Sequence, residues 1–253
     1  MLRSYVYATC TFLLLACSNT TEILVAAASF SEEELEICID VSCPEINISY
    51  ITVTGDEEIS AVINDNVKNF IIESLYLGDE TMLPSAKNIA EAAKQFVEMY
   101  RTHSAEFPDM QMEYFAEIKV KETYKSENLL SLRMNQYLFT GGAHGYGATS
   151  FTNFDLHTGM PIPIEDLFKD YEAFEEFVEA RFRKANDILE NDSINSTGFW
   201  FEEDEFYLPE ALGFTESSLI IIFNQYEIAS YAAGPINLEI PIEEVSPFLA
   251  IQL

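Results

Sequence analysis

The chain has 253 residues and a formal net charge of −30, from 13 Lys+Arg against 43 Asp+Glu. That acidic excess excludes a nucleic-acid binder, because gripping phosphates needs a basic face. The hydrophobic fraction of 48%, with 19 Phe and 13 Tyr, excludes a disordered acidic tail and is enough for a sizeable core.

The first residues read as an export address. Arg3 precedes an uncharged stretch from Tyr5 to Ala16, centred on Phe12-Leu13-Leu14-Leu15. This is the length of a signal-peptide core and short of the about 20 residues that span a bilayer. It ends in Leu14-Leu15-Ala16-Cys17-Ser18, where a small residue before Cys and Leu three positions upstream resemble a bacterial lipobox. On that reading residues 1–16 are a lipoprotein signal peptide and Cys17 is the lipidated first residue. Acyl chains there tie the protein to a membrane of the bacterial cell envelope. The competing reading is an ordinary cleaved signal with a chance cysteine. Cleavage leaves 12 basic residues against 43 acids, a mature net charge of −31.

Residues 17–36 read as a tether, polar at Ser18 to Thr21 and acidic at Glu32, Glu33, Glu34 and Glu36. Cys38 and Cys43 follow. A fully extended five-residue step covers about 16 Å, against about 6 Å between disulfide-linked Cα atoms. A bridge therefore needs a turn at Asp40-Val41-Ser42; the other state open to them is a pair of buried free thiols. Glu45 to Thr54 alternates with strand period, placing Ile46, Ile48, Tyr50 and Thr52 on one face. Ile59 to Tyr76 repeats apolar residues at three and four, and Asp56 or Ser60 caps it. Ser85 to Arg101 is a second helix, with Ser85 as N-cap.

Met112, Tyr114, Ala116, Ile118 and Val120 alternate against charged residues. Lys125 to Asn128 turns the chain, and Leu130, Leu132, Met134 and Leu138 form a second alternating set, so the two runs read as an antiparallel hairpin. Thr149 to Leu156 is a third strand. Ile164 to Phe168 is a helical turn, and Tyr171 to Leu189 a helix with Phe174, Phe177, Val178, Arg181 and Phe182 inward. Phe206-Tyr207-Leu208, Ser218 to Phe223 and Ile236 to Ile242 read as strands, and Glu243 to Leu249 as a terminal helix. Segregated strands and helices with tight turns give an α+β class of antiparallel sheets with packed helices.

Several phrases resemble one envelope family. They are Thr140-Gly141-Gly142-Ala143-His144-Gly145, Asn153-Phe154-Asp155-Leu156, Asp166-Leu167-Phe168, Phe206-Tyr207-Leu208, Phe223 to Ala229 and Tyr231-Ala232-Ala233-Gly234. In this order they look like the extracellular domain of the anti-sigma factor RsiV and the non-catalytic region of PdaC-type peptidoglycan deacetylases. Cys43-Pro44-Glu45-Ile46 and the helix after it resemble the partner domain preceding it in both. The resemblance implies two α+β subdomains, set here at 37–139 and 140–253. It implies a lipid-anchored binding or sensor module without catalytic activity. Its ligand would be a cationic protein such as lysozyme, or a cell-wall component; the alternative is an enzyme or accessory subunit acting on peptidoglycan or another envelope glycan. The Thr-Phe-Asp-Asp metal motif of the deacetylase domain is absent from the sequence.

Two segments carry the candidate site. Gly141, Gly142, His144, Gly145 and Tyr146 make a ligand loop, or else a tight connection between strands. Tyr226, Glu227 and Tyr231 make a second surface that mixes aromatics with a carboxylate, or else a packed strand end. Neither a catalytic motif nor metal-ligand spacing accompanies them, so the sequence implies no cofactor, no metal and no nucleic acid.

Overall fold

The computed structural model describes residues 22–79, 81–107 and 113–253. Residues 1–16, read as a signal peptide, and Cys17 and Met112 lie outside them. Leu24–Ser31 (β1) pairs antiparallel with Glu45–Thr54 (β2), and Phe115–Lys125 (β3) runs parallel to β2. Leu129–Phe139 (β4) and Tyr146–Asp155 (β5) follow antiparallel, completing a sheet of order β1-β2-β3-β4-β5. The sheet is therefore mixed where antiparallel pairing was expected. The parallel step is made by Glu57–Ser74 (α1) and Ile89–Glu106 (α2), since parallel neighbours need a long crossover.

Both helices lie on one sheet face. Ile63, Val67 and Ile71 of α1 and Ala93, Phe96 and Val97 of α2 bury against Ile46, Ile118, Val120, Leu130 and Leu132. Asp56 caps α1 by accepting from the Glu58 and Ile59 amides. The cap of α2 is Asn88 and not Ser85: Asn88 accepts from Glu91 N–H while the Glu91 carboxylate takes the Lys87 amide. Ser85 instead receives the Gln95 amide.

The second layer holds Tyr171–Ala185 (α3) against an antiparallel sheet of Ala211–Phe214 (β6), Ser218–Phe223 (β7) and Ile236–Pro241 (β8), closed by the short helix Ile242–Val245 (α4). Phe174, Val178 and Phe182 of α3 meet Phe201, Phe206, Phe214 and Phe223 in an aromatic core. Rings of Phe182 and Phe223 stand 5.6 Å apart, edge to face, an arrangement the ring quadrupole favours. The architecture is α+β.

Four expectations change. The span read as a tether is folded from Ile23 on: β1 forms an edge of the sheet, and Ile23 and Leu35 are buried. The boundary at 139/140 cuts between β4 and β5, neighbours in one sheet, so it separates no folding units. Phe206-Tyr207-Leu208 is not a strand; Phe206 and Leu208 are buried, and the Leu208 amide is taken by the Glu175 carboxylate instead of a neighbouring strand. In β2 the buried positions switch from Ile46 and Ile48 to Ile51 and Val53. The switch follows the end of β2–β3 pairing at Ser49, beyond which the Asn64 side chain of α1 bonds both backbone groups of Val53.

Cys38 and Cys43 are joined by a disulfide, with Cα atoms 5.7 Å apart. The turn is supplied at Asp40, which has φ 58. Arg101 of α2 donates to the Ile37 carbonyl at 2.7 Å and fixes the loop to the helix.

The two layers meet along β4–β5 and β6. Ser131 Oγ accepts from the Phe214 amide at 3.0 Å, and Asn153 donates to the Leu212 carbonyl at 2.9 Å. Gly213 lies on the ring of Phe151, where any Cβ would fall 2.0 Å from a ring carbon. This layer covers only part of the outer sheet face and leaves the end near the β4–β5 loop open.

Candidate functional site

The two segments singled out in the sequence come together. The β4–β5 loop turns at Gly141 and Gly142, with φ 94 and 92, values that an L side chain rarely tolerates. This brings the His144 ring onto Tyr231, stacked with centroids 4.8 Å apart and planes at 28°. Tyr231 opens a short 3-10 turn before β8 and lies 5.4 Å from Tyr226. Tyr226 itself has φ 69 and is 58% exposed. His144, Tyr231 and Tyr226 thus form one aromatic row on the surface. Tyr146 is exposed beside it, at the start of β5.

Glu227 is not part of that row. Its carboxylate accepts from the Asn224 amide at 2.7 Å and from the Tyr207 hydroxyl. Burial, with a smaller contribution from Glu210, pushes its pKa above the ordinary 4.5, against these two hydrogen bonds. The partner shifts too: burial, then the Glu227 charge, raises Tyr207 to about 12. The pair holds the β7–β8 loop against the 206–208 segment. Glu227 therefore positions the loop, and it also lines a cleft of about 570 Å³ with Glu210, Tyr207 and Asn224.

Gly145 has a packing role. A Cβ there would lie 2.3 Å from the Tyr137 hydroxyl, and one at Gly147 would lie 3.3 Å from the same ring. Tyr137 stands directly opposite Gly147 in the β4–β5 register. The glycines of the loop thus make room for an aromatic residue that the sequence reading passed over. Its signal was present: Tyr137 falls on the polar side of the β4 alternation. Trp200 was also missed; it is 47% exposed and donates through its indole N–H to the Glu227 carbonyl.

His103 and His157 lie elsewhere. His103 is half-buried against Tyr114, and His157 bonds Asn128 at 3.0 Å. Among the described residues no cluster of His, Cys, Asp and Glu is arranged to hold a metal ion.

Residues 32–146 match the family model described as Deacetylase PdaC, and residues 165–243 match Protein of unknown function (DUF3298). The two matched segments follow one another along the chain. The His144–Tyr231 stack joins them, since His144 lies in the PdaC segment and Tyr231 in the DUF3298 segment. The chain is similar to a curated relative, the peptidoglycan-N-acetylmuramic acid deacetylase PdaC of Bacillus subtilis, 22% identical over 196 residues. The match covers 74% of this chain but only 40% of that enzyme. A crystal structure of a DUF3298 family member from Bacteroides fragilis superposes with a TM-score of 0.64 at 21% identity, covering 91% of this chain and 94% of that one. A DUF3298 protein from Pseudomonas aeruginosa gives 0.58 at 18% identity, covering 90% and 94%. These structures share the fold, in which function is fixed by the site and not by the architecture.

Proposed function

We propose that the protein is a lipid-anchored binding module of the bacterial cell envelope that recognises a ligand without transforming it. The ligand is a cationic protein such as lysozyme, or a cell-wall component. The observation that carries this reading is the row of exposed His144, half-buried Tyr231 and exposed Tyr226, in which the histidine is paired with a ring and not with a carboxylate. Stacked aromatics present flat contact area at low conformational cost, a property of binding faces. The PdaC match supports an envelope setting, and the lipobox-like sequence ending at Cys17 supports the anchor.

The test is capture of lysozyme and of purified peptidoglycan by the protein and by its Tyr231→Ala variant. Retention of either ligand by the first and its loss in the second is expected; equal retention by both, or retention of neither, overturns the assignment of the face.

A second reading, an enzyme acting on peptidoglycan or another envelope glycan, is favoured by one feature. Glu227 is a carboxyl of raised pKa at a cleft wall, a setting in which general acids occur. It requires glycan turnover that Glu227→Gln or His144→Ala abolishes.

A further inference from the structure

We propose that the open end of the outer sheet face, centred on Tyr137, is a groove for a neutral linear glycan. It is a separate surface from the aromatic row and uses different residues.

The groove follows from register. Glu117, Tyr137 and Gly147 form one row across β3, β4 and β5, and Lys119, Asn135 and Thr149 form the next. Alternation puts both rows on the face away from α1 and α2. Further along β4 that face is covered by β6, but at Tyr137 it is open, and the residue is 41% exposed. Asn224, Gln225 and Pro235 stand beside the rows as a wall, enclosing a cleft of about 350 Å³. Tyr137 also lines a second cleft of about 510 Å³, with Tyr100, Phe115 and Phe139. One ring therefore separates two depressions, so a ligand filling both must cross it.

The chemistry selects the ligand. A tyrosine ring offers a negative π-face to the C–H groups of a pyranose, and Tyr137, lying over Gly145 and Gly147, keeps part of its surface open. Sugar hydroxyls both donate and accept, and so do the side-chain amides of Asn135 and Gln225 in the cleft. Glu117 and Lys119 pair at 2.7 Å, leaving the floor without net charge. A chain of net charge −30 repels polyanions at long range, which disfavours uronic-acid or phosphate polymers. Clefts of this volume suit small rings in succession.

Isothermal titration with cellohexaose, an N-acetylglucosamine hexamer and an oligogalacturonate of equal length tests the assignment. Saturable binding of a neutral hexamer and none of the anionic one is expected. Tyr137→Ala should weaken it about tenfold or more, whereas Tyr137→Phe, which keeps the ring, should stay within about threefold. Absence of binding to either neutral hexamer overturns the inference and leaves the aromatic-row reading standing. Unchanged affinity in Tyr137→Ala also overturns it, and so does loss in Tyr231→Ala alone, which would place the sugar on the aromatic row.

Discussion

The side-chain amide of Asn224 engages both backbone polar groups of Thr149: its Oδ1 accepts from the Thr149 N–H at 2.8 Å, and its Nδ2 donates to the Thr149 carbonyl at 2.9 Å. β5 is the last strand of its sheet, and the amide acts there as a one-residue strand. Asn64 does the same for Val53 on β2, at 2.8 Å for both bonds. Exposed strand edges invite pairing with other chains, and both are blunted here from within. The Asn224 contact also ties the β7–β8 loop, and with it Tyr226 and Tyr231, to the sheet that carries His144.

Asn224→Ala should therefore lower stability by about 1–3 kcal/mol, the cost of stranding partly buried backbone groups. Urea titration measures the loss, and hydrogen exchange at the Thr149 amide should quicken in the same variant. An unchanged midpoint together with unchanged exchange would mean that water replaces the amide without cost.

Asparagine amides of this kind are invisible to periodicity, which explains part of what the sequence did not reveal. Alternation located β3 and β4, where every second apolar side chain turns to the helices. Ile118 and Leu132 are fully buried, and strand period is the physical trace of that burial. It misplaced β2 beyond Ser49, where the neighbour changes from a strand to a helix side chain. It read 206–208 as a strand because buried Phe206 and Leu208 flank a polar-tipped Tyr207. The union of His144 with Tyr231 lies 87 positions apart in the chain and depends on how β7 and β8 dock on β5, which no local pattern carries. Tyr137 was legible only as a residue on the polar side of a strand, and its meaning appears once Gly145 and Gly147 are seen against it.

The core of the first layer gives a sharp contrast of positions. Ile118 and Leu132 are completely buried, while the side chain of Lys119 is half exposed and pairs only with Glu117. Ile118→Ala and Leu132→Ala should each cost about 2–5 kcal/mol through lost transfer energy and a residual cavity. Lys119→Ala should change stability by about 0.5 kcal/mol or less. Denaturant midpoints at constant m-value check the ranking.

The half-buried Glu227 gives a pH signature. Its pKa lies above 4.5 in the folded protein, chiefly through burial. The folded state then binds this proton more tightly than the unfolded chain does. The contribution is fully present below the unfolded value and is lost as pH rises through the folded one. Glu227→Gln removes that titration. Urea titrations from about pH 4 to 7 should show the wild type losing stability relative to Glu227→Gln as pH rises. A difference independent of pH would show that the carboxyl titrates as it does in the unfolded chain.

Lipidation of Cys17 is a prediction about processing. Cys17→Ser removes the thiol that would take the acyl group. The variant should remain an uncleaved precursor or leave the membrane fraction, read by fractionation and intact mass. Wild-type maturation and partitioning in the variant would refute the lipobox reading.

Charge governs how a protein partner would arrive. With 13 basic residues against 43 acids, the chain carries a field that attracts cationic proteins at long range. The field is screened over about 8 Å at physiological salt, whereas stacked contacts at Tyr231 and Tyr226 are short-ranged. Association with lysozyme, a basic protein, should thus slow markedly between low and physiological salt, and dissociation should change much less. Stopped-flow or surface-resonance measurements at two salt concentrations separate the two rates. Tyr231→Ala should do the reverse, leaving association nearly unchanged and speeding dissociation, because it removes contact and no charge. If lysozyme fails to bind even at low salt, where attraction is strongest, lysozyme is excluded as the ligand, and another cationic protein or a cell-wall component remains to be tested in the same way.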